Sequence, residues 1–246
     1  FHNQEIVAKA GFEANIIENH DQPRGASLFI PEEDYGFYSL SALATIIFCE
    51  RGLPFLYQGQ EIGMSNRQWK YDEFNDLETI NQYQIALKAG MSKEQALEIA
   101  RHHSRDNART PMQWSSEENA GFSKGKPWMP VNENYKVVNV AEEEKEYGSI
   151  LNFYKRLIAF YKSEEYNEIL TYGDFRPMYE KEDRIFAYSR SYGCQKLVLI
   201  CNFSSKEKDI ELSEDYENVV FVNYEQTTVI GNTLKMKPYE CVIYEM

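Results

Sequence analysis

The hydrophobic pattern of the chain changes period near residue 168. Before that point, apolar positions spaced three and four residues apart alternate with short apolar runs. The spacing predicts helices over 3–10, 38–49, 76–90, 92–103 and 149–162, and strands over 12–19 and 52–59. Apolar strands that alternate with helices pair in parallel and are covered by helices on the outside.

Beyond residue 168, apolar residues recur at every second position in short segments separated by Gly, Asn, Ser and Pro. The predicted strands are 184–192, 196–203, 208–212, 218–224, 233–237 and 240–246. Regularly spaced short strands of this kind predict an antiparallel β-sandwich. We therefore expect an α/β domain over 1–167 and an all-β domain over 168–246.

The first predicted strand ends in the polar stretch ENHDQPR, residues 18–24. In a barrel of alternating strands and helices, functional side chains lie at the C-terminal ends of the strands. His20 and Asp21 follow the first strand in this way, and the QGQE stretch, Gln58 to Glu61, ends the second. The alternative is structural: Asp21 forms a turn and His20 is a satisfied core residue.

The stretch RDNARTPMQW, residues 105–114, concentrates two Arg, one Asp and one Asn in five residues. We expect Pro111 and Trp114 to hold this loop. A guanidinium is suited to a carboxylate or to ring hydroxyls, so Arg105 is a candidate binding residue. The alternative is a structural ion pair between Arg105 and Asp106.

Composition narrows the possible partners. With 39 acidic and 26 basic residues, the formal charge is −13, which disfavours binding to nucleic acid or to an anionic membrane. The longest apolar run, near residues 40–49, is too short to span a bilayer. The four Cys lack metal-ligand spacing and have apolar flanks, so we expect buried, reduced thiols and, with no recognisable signal peptide, a cytoplasmic location.

Five motifs occur in order along the chain: NHDQPR, LPFLYQGQEIGMSN, DLETIN, RDNARTPMQW and NAGFS followed by KPW. Together they resemble the C-terminal half of an exo-glucosidase of the α-amylase superfamily, glycoside hydrolase family 13, in the oligo-1,6-glucosidase/α-glucosidase branch. The resemblance covers essentially the whole chain. It implies the last two strand–helix units of a (β/α)8 TIM barrel, followed by a C-terminal antiparallel β-sandwich.

The resemblance also implies roles for particular residues. Asp21 matches the third acidic residue of the family, which holds ring hydroxyls of the reacting sugar, and His20 matches its hydrogen-bonding neighbour. Arg105 matches the arginine that fixes the non-reducing end, and Glu78 matches a carboxylate on the leaving-group side. For Glu78, the alternative is a solvated carboxylate at a helix start.

Retaining glycosidases need a nucleophile and a proton donor, and the family supplies both from the fourth and fifth barrel strands. No stretch of this chain resembles those strands, so the implied reading is a fragment with an incomplete active site. No cofactor is implied here, and a family calcium site, where it occurs, lies in an early barrel loop. The chain departs from the family at Glu18, where Asn is commoner, and at Gln60, where Glu is commoner.

The leading hypothesis is part of a retaining exo-α-glucosidase acting on α-1,6 or α-1,4 bonds of short α-gluco-oligosaccharides. Trehalose-6-phosphate hydrolase, glucosyltransferase and sucrose isomerase are alternatives on the same scaffold. A non-catalytic sugar-binding or structural module is an alternative of another class. Two strand–helix units leave exposed sheet edges and an uncovered apolar face, which predicts that the chain associates with itself, or with the missing half of the barrel, through that face.

Overall fold

The computed structural model describes residues 2–8, 10–213 and 218–246. Its α-helices are α1 (His2–Val7), α2 (Gly25–Phe29), α3 (Phe37–Cys49), α4 (Leu77–Lys88), α5 (Lys93–His103), α6 (Val140–Glu143), α7 (Ile150–Tyr161) and α8 (Asn167–Tyr172). Its strands are β1 (Ala14–Asn15), β2 (Leu53–Pro54), β3 (Asp174–Met178), β4 (Ile185–Tyr192), β5 (Gln195–Asn202), β6 (Lys208–Glu211), β7 (Asn218–Val222), β8 (Thr228–Ile230), β9 (Thr233–Met236) and β10 (Cys241–Glu245).

The chain packs into two compact units. The first comprises Phe1–Ile16, Gly36–Phe55 and Phe153–Met246, and the second comprises Ile17–Tyr35 and Leu56–Asn152. These units are defined by packing alone, and the domain boundary between residues 167 and 168 stays a prediction.

Among the described residues of the first unit, eight strands form two antiparallel sheets. The larger has the order β3-β4-β5-β10-β7 and the smaller the order β6-β9-β8. One core cluster combines Ile200 of β5 and Val242 of β10 with Ile210 of β6 and Leu234 of β9, so the two sheets pack face to face. The predicted antiparallel sheets are therefore confirmed. The sequence pattern missed β3, β8 and α8.

Helix α3 packs against the five-stranded sheet through polar contacts as well as apolar ones. The Tyr188 hydroxyl donates to the Ile46 carbonyl at 2.9 Å, and Arg190 Nη1 donates to the Cys49 carbonyl at 2.8 Å. Burial lowers the pKa of Arg190 to about 10. The guanidinium lies at the C-terminal end of α3, where a cation complements the helix dipole.

The predicted strand pair is real but short. β1 and β2 pair in parallel, with Ala14 opposite Leu53, and each strand has only two residues. The expectation of buried strands over 12–19 and 52–59 is wrong for part of their length, because Ile16, Leu53 and Phe55 are 44%, 52% and 52% exposed. With a single neighbour each, these strands have little sheet against which to bury apolar side chains.

In the second unit, α4 and α5 pack against each other, and the first turn of each helix is capped by a side chain. The Asp76 side chain accepts from the amides of Glu78 and Thr79. Ser92 and Gln95 form a capping box at the start of α5. Besides the short helices α2 and α6, the rest of the unit consists mainly of loops and short 3₁₀ turns, which carry the candidate site.

Cysteine burial follows the flanking residues. Cys49, Cys201 and Cys241 are buried free thiols, as predicted, whereas Cys194 is exposed. Cys194 follows Gly193, which has φ 61° in the turn between β4 and β5, and a turn there faces solvent. In the described part of the chain, no helix is long and apolar enough to cross a membrane.

Candidate functional site

The Asp21 carboxylate lies at the centre of a charged cluster in the second unit. Arg109 Nη2 is 3.0 Å and Arg105 Nη1 is 3.2 Å from Asp21 Oδ1, while His20 Nε2 is 3.2 Å from Oδ2. The Asp21 side chain is nevertheless 53% exposed. The structural alternative of a buried histidine does not hold, because the His20 side chain is 72% exposed.

Arg105 connects Asp21 to the start of α4. Its Nε donates to Asp76 Oδ1 at 2.7 Å, and Asp76 Oδ2 accepts from the Thr79 hydroxyl at 2.6 Å. Burial opposes ionisation of Asp76, but the hydrogen bonds from Thr79 and Arg105 outweigh it and lower the pKa of that carboxyl. The same hydrogen bond with Asp76 raises the pKa of Arg105. Arg105 is therefore a fixed cation that faces an exposed carboxylate.

The RDNAR motif forms a 3₁₀ turn, Arg105–Arg109, and the predicted alternative of an Arg105–Asp106 ion pair is not what the structure shows. Asp106 is buried, and its Oδ2 accepts from the backbone amides of Asn75 and Asp76 at 2.8 and 2.9 Å. Asp106 thus positions the residue that in turn positions Arg105.

Asn107 holds the turn from inside. It is fully buried, and its Oδ1 accepts from the Trp69 indole at 2.7 Å and from the Arg67 amide at 3.0 Å. The expectation that Trp114 holds this loop is wrong: Trp114 is 51% exposed, and Trp69, from a distant part of the sequence, does this instead. The indole of Trp69 is buried where it meets the turn.

Arg24 of the NHDQPR stretch has a structural role that the sequence did not reveal. It is fully buried, donates to the carbonyls of Gln58 at 2.7 Å and Asn107 at 3.2 Å, and lies 3.4 Å from Glu18. Glu18 also accepts from the Gly25 amide. Burial raises the pKa of Glu18, and the Arg24 charge opposes this effect. The departure at Glu18 is therefore a buried ion pair that joins three loops.

The second departure, Gln60, is also buried. Its Oε1 accepts from the Tyr57 amide at 3.3 Å, while neighbouring Glu61 accepts from the Gly59 amide at 2.7 Å. Gly59 has φ 90°, and a Cβ there would lie 2.4 Å from the Met64 sulfur, so this turn requires glycine. The QGQE stretch is a tight structural turn.

A cavity of about 390 Å³ opens beside Asp21. Asp21, Arg105 and Glu78 line it together with Asp76, Gln82 and His103. Three of the four predicted site residues therefore share one cavity, and the fourth, His20, contacts Asp21. Arg109 and Asp76 were not predicted as site residues. Arg109 could have been predicted, because it is the second Arg of the RDNAR motif. For Asp76, the sequence indicated only that it precedes a helix.

The cavity combines acceptor and donor groups that face solvent. A carboxylate accepts hydrogen bonds from hydroxyls, and a guanidinium donates to them, so the pair suits a ligand rich in hydroxyl groups. Within the described part of the chain, no group of three or more His, Cys, Asp or Glu side chains could hold a metal ion.

Two family models match successive parts of the chain. The model of the α-amylase catalytic domain matches residues 2–173, and that of the C-terminal domain of the SusG α-amylase matches residues 185–243. The chain belongs to the α-amylase family, glycoside hydrolase family 13. The resemblance predicted from the motifs is confirmed.

Several relatives align along nearly the whole chain. Oligo-1,6-glucosidase of Bacillus cereus is 38% identical over 249 residues, which are 99% of this chain and 44% of that protein. Trehalose-6-phosphate hydrolase of Bacillus licheniformis, in its crystal structure, is 36% identical with a TM-score of 0.91, covering 98% of this chain and 44% of that one. Isomaltulose synthase of Protaminobacter rubrum is 33% identical with a TM-score of 0.89, covering 99% and 45%. The chain thus spans less than half the length of these relatives.

Proposed function

We propose that this chain forms the sugar-binding part of a retaining exo-α-glucosidase that acts in the cytoplasm on α-1,6 or α-1,4 ends of short gluco-oligosaccharides. One observation carries the proposal. Asp21 is an exposed carboxylate, held by Arg105 and Arg109, and it lines the same cavity as Arg105 and Glu78. The names of the relatives, which include oligo-1,6-glucosidases and a glucan 1,6-α-glucosidase, support this substrate class.

Asp21 acts on the sugar that carries the scissile bond. Its carboxylate accepts hydrogen bonds from ring hydroxyls, and these bonds strengthen as positive charge develops on the ring in the oxocarbenium-like transition state. Arg105 and Arg109 orient the Asp21 carboxylate before the sugar arrives. A preorganised group of this kind stabilises the transition state without reorganising during the reaction.

The other residues select and place the substrate. His20, at 3.2 Å from Asp21, donates to hydroxyls of the same sugar, and Arg105 fixes its non-reducing end so that only chain ends are cut. Glu78, in the DLETIN motif at the start of α4, accepts hydrogen bonds from the leaving sugar. All three roles come from the family resemblance; Arg105 and Glu78 line the same cavity, and His20 contacts Asp21.

Bond cleavage needs two further carboxyl groups about 5–5.5 Å apart across the scissile bond. In the family, both come from barrel strands that precede the segment matched here. The barrel would be completed by those strands, with β1 and β2 as its last two. We therefore propose that the active site of this 246-residue chain is incomplete.

Trehalose-6-phosphate hydrolase is the strongest alternative, because the crystal structure of that enzyme from Bacillus licheniformis matches this chain with a TM-score of 0.91. Trehalose 6-phosphate, the substrate that gives this enzyme its name, carries a phosphate, which requires a cluster of cations. Among the described residues lining the cavity, the basic side chains are Arg105 and His103, and Arg105 is already paired with two carboxylates. The cations of a phosphate clamp would therefore have to come from residues outside this cavity.

Hydrolysis of aryl α-glucosides tests the proposal. The chain alone is expected to show no significant turnover, whereas a longer product of the same reading frame that includes the upstream barrel strands is expected to hydrolyse isomaltose. Asp21→Asn should abolish that activity. Turnover by the 246-residue chain that survives repurification and disappears on Asp21→Asn would contradict the incomplete-site proposal.

A further inference from the structure

A cavity of about 590 Å³ in the second unit is lined by the end of α2, by residues 65–68 and by the last turns of α5. Among the described residues, it shares no lining residue with the Asp21 cavity. We call it the Arg101 cavity. Its volume is that of a site for a small molecule. We propose that it binds an organic carboxylate with an aromatic or branched aliphatic body.

The end of α2 forms the apolar wall of the Arg101 cavity. Leu28 and Phe29 are 36% and 44% exposed, whereas Ile30, which follows them, is 4% exposed. The Ser27 hydroxyl accepts from the Asn66 amide at 2.9 Å, which joins α2 to another lining segment. Exposed apolar side chains on a fixed wall leave water when a ligand covers them, and an aromatic or branched aliphatic group offers the matching surface.

Arg101 supplies a cation whose charged end has only a weak partner. Its Nε donates to the Trp69 carbonyl at 2.7 Å, which fixes the guanidinium plane. Its Nη1 lies 3.6 Å from Glu98 Oε2, and the Glu98 side chain is 69% exposed. Because an exposed pair of this length contributes little, a ligand carboxylate can displace Glu98 and accept from both Nη groups. His102, next along α5, adds an imidazole to the same wall.

The remaining charges of the cavity favour a single carboxylate over a phosphate. Arg67 also lines the cavity, but its Nη1 donates to Glu73 at 2.7 Å and its Nη2 donates to Glu133 at 2.6 Å. The Arg67 charge is therefore balanced within the protein. Glu32 and Glu98 line the cavity as well, and their negative charges disfavour a dianion, which needs several cations.

A ¹H–¹⁵N titration of the 246-residue chain with phenylacetate provides the test. In about 0.15 M salt, which screens the net charge of −13 over about 8 Å, we expect saturable shifts in the signals of residues 27–31, 66–68 and 101–102. Acetate lacks the apolar body and benzyl alcohol lacks the charge, so each should bind about tenfold more weakly or worse. Absence of the shifts, or binding of either control as tight as that of phenylacetate, would overturn the proposal.

Two variants with matched controls locate the binding. Arg101→Gln should weaken phenylacetate binding about tenfold or more, whereas Arg105→Gln should leave it unchanged. Phe29→Ala should weaken it about fivefold, whereas Phe122→Ala, which removes a similarly exposed ring from the wall of another cavity, should have no effect. If Arg105→Gln abolishes binding and the shifts fall on residues 105–109, the carboxylate binds at the sugar site and the proposal is wrong.

Melting temperatures separate lost binding from lost structure. Arg101→Gln removes the hydrogen bond to the Trp69 carbonyl and can lower stability, but Phe29 is exposed, so Phe29→Ala should melt within the error of the wild type. Unchanged phenylacetate affinity in folded Phe29→Ala would overturn the proposal by itself. The inference does not depend on the proposed function, because sugar binding requires Asp21 and Arg105 whereas phenylacetate binding requires Arg101 and Phe29.

Discussion

Arg109 Nη2 lies 3.0 Å from Asp21 Oδ1, although 88 residues separate them in the sequence. Arg109 Nε also donates to the His20 carbonyl at 3.0 Å. One guanidinium therefore fixes both the side chain of Asp21 and the backbone that precedes it. Together with Arg105, it sets the direction in which the carboxylate faces the cavity.

Replacing Arg109 should misorient Asp21 without unfolding the protein. Arg109→Gln removes a charge-assisted pair at a partly exposed site, so we expect affinity for methyl α-glucoside to fall about fivefold. Arg109→Lys, which keeps the charge but not the fork, should lose less. Binding measured by NMR titration checks this, with Arg176→Gln in β3 as an arginine control away from the site. Unchanged affinity in Arg109→Gln would show that Arg109 does not position Asp21.

The buried Glu18–Arg24 pair should dominate the stability of the second unit. Arg24→Met leaves the Glu18 carboxylate buried beside the Gly25 amide without its cation, and the expected loss in unfolding free energy is about 3–5 kcal/mol. A double variant, Glu18→Leu with Arg24→Met, should recover part of the loss, because no charge is then stranded. Urea denaturation of the three proteins measures the effect. A loss below about 1 kcal/mol in Arg24→Met would contradict the role assigned to the pair.

Glu143 should make stability depend on pH near neutrality. Burial raises its pKa from the ordinary 4.5 to about 7, against the stabilising hydrogen bond from the Leu151 amide. A raised pKa means that the folded state retains a proton that the unfolded state has released. The contribution of protonated Glu143 to the unfolding free energy is therefore fully present below pH 4.5 and is lost as pH rises to about 7.

Urea denaturation at several pH values between 4.5 and 7.5 checks the assignment to Glu143. The unfolding free energy of Glu143→Gln should decline less over this range than that of the wild type. Glu142→Gln is the matched control, since the neighbouring carboxylate forms an exposed pair with Lys145 at 2.8 Å. Equal pH slopes for the wild type and Glu143→Gln would rule Glu143 out.

The elements that the sequence predicted well have local signals. Helix α5 begins at a capping box whose two partners, Ser92 and Gln95, are three residues apart, and α3 is a continuous apolar run. By contrast, the extent of β1 and β2 depends on neighbouring strands, so an apolar run could not define it. β3 contains Pro177 at a sheet edge, and β8 has only three residues, which explains why the alternating pattern missed both.

The candidate site likewise combines residues with a local sequence signal and residues whose role depends on distant partners. His20, Asp21 and Arg105 were predicted from compact motifs, but their partners lie far away in sequence. Asp76 is 29 residues from Arg105, and Trp69 is 38 residues from Asn107. Single motifs indicate which residues carry chemistry, whereas only the folded chain shows that Arg24 and Asn107 are structural.

The apolar face of β1 and β2 should lead to self-association. Leu53 of β2 and Phe55, which follows β2, are each about half exposed, and the sheet that the structure describes here consists of β1 and β2. Size-exclusion chromatography with light scattering is expected to show a mass that increases with concentration, and Phe55→Ser should reduce it. Val219→Ser, which changes an apolar residue with 40% exposure in β7, is the control. A monomer at high concentration would contradict this expectation.

Binding of methyl α-glucoside to the 246-residue chain, followed by the ¹H–¹⁵N signals of residues 20–25 and 105–109, tests the central claim most directly. We expect weak, saturable binding that shifts these signals, and about tenfold or greater weakening in both Asp21→Asn and Arg105→Gln, because each removes a charged partner of the sugar hydroxyls. Binding that is absent, or that both variants leave unchanged, would contradict a sugar-binding role for Asp21.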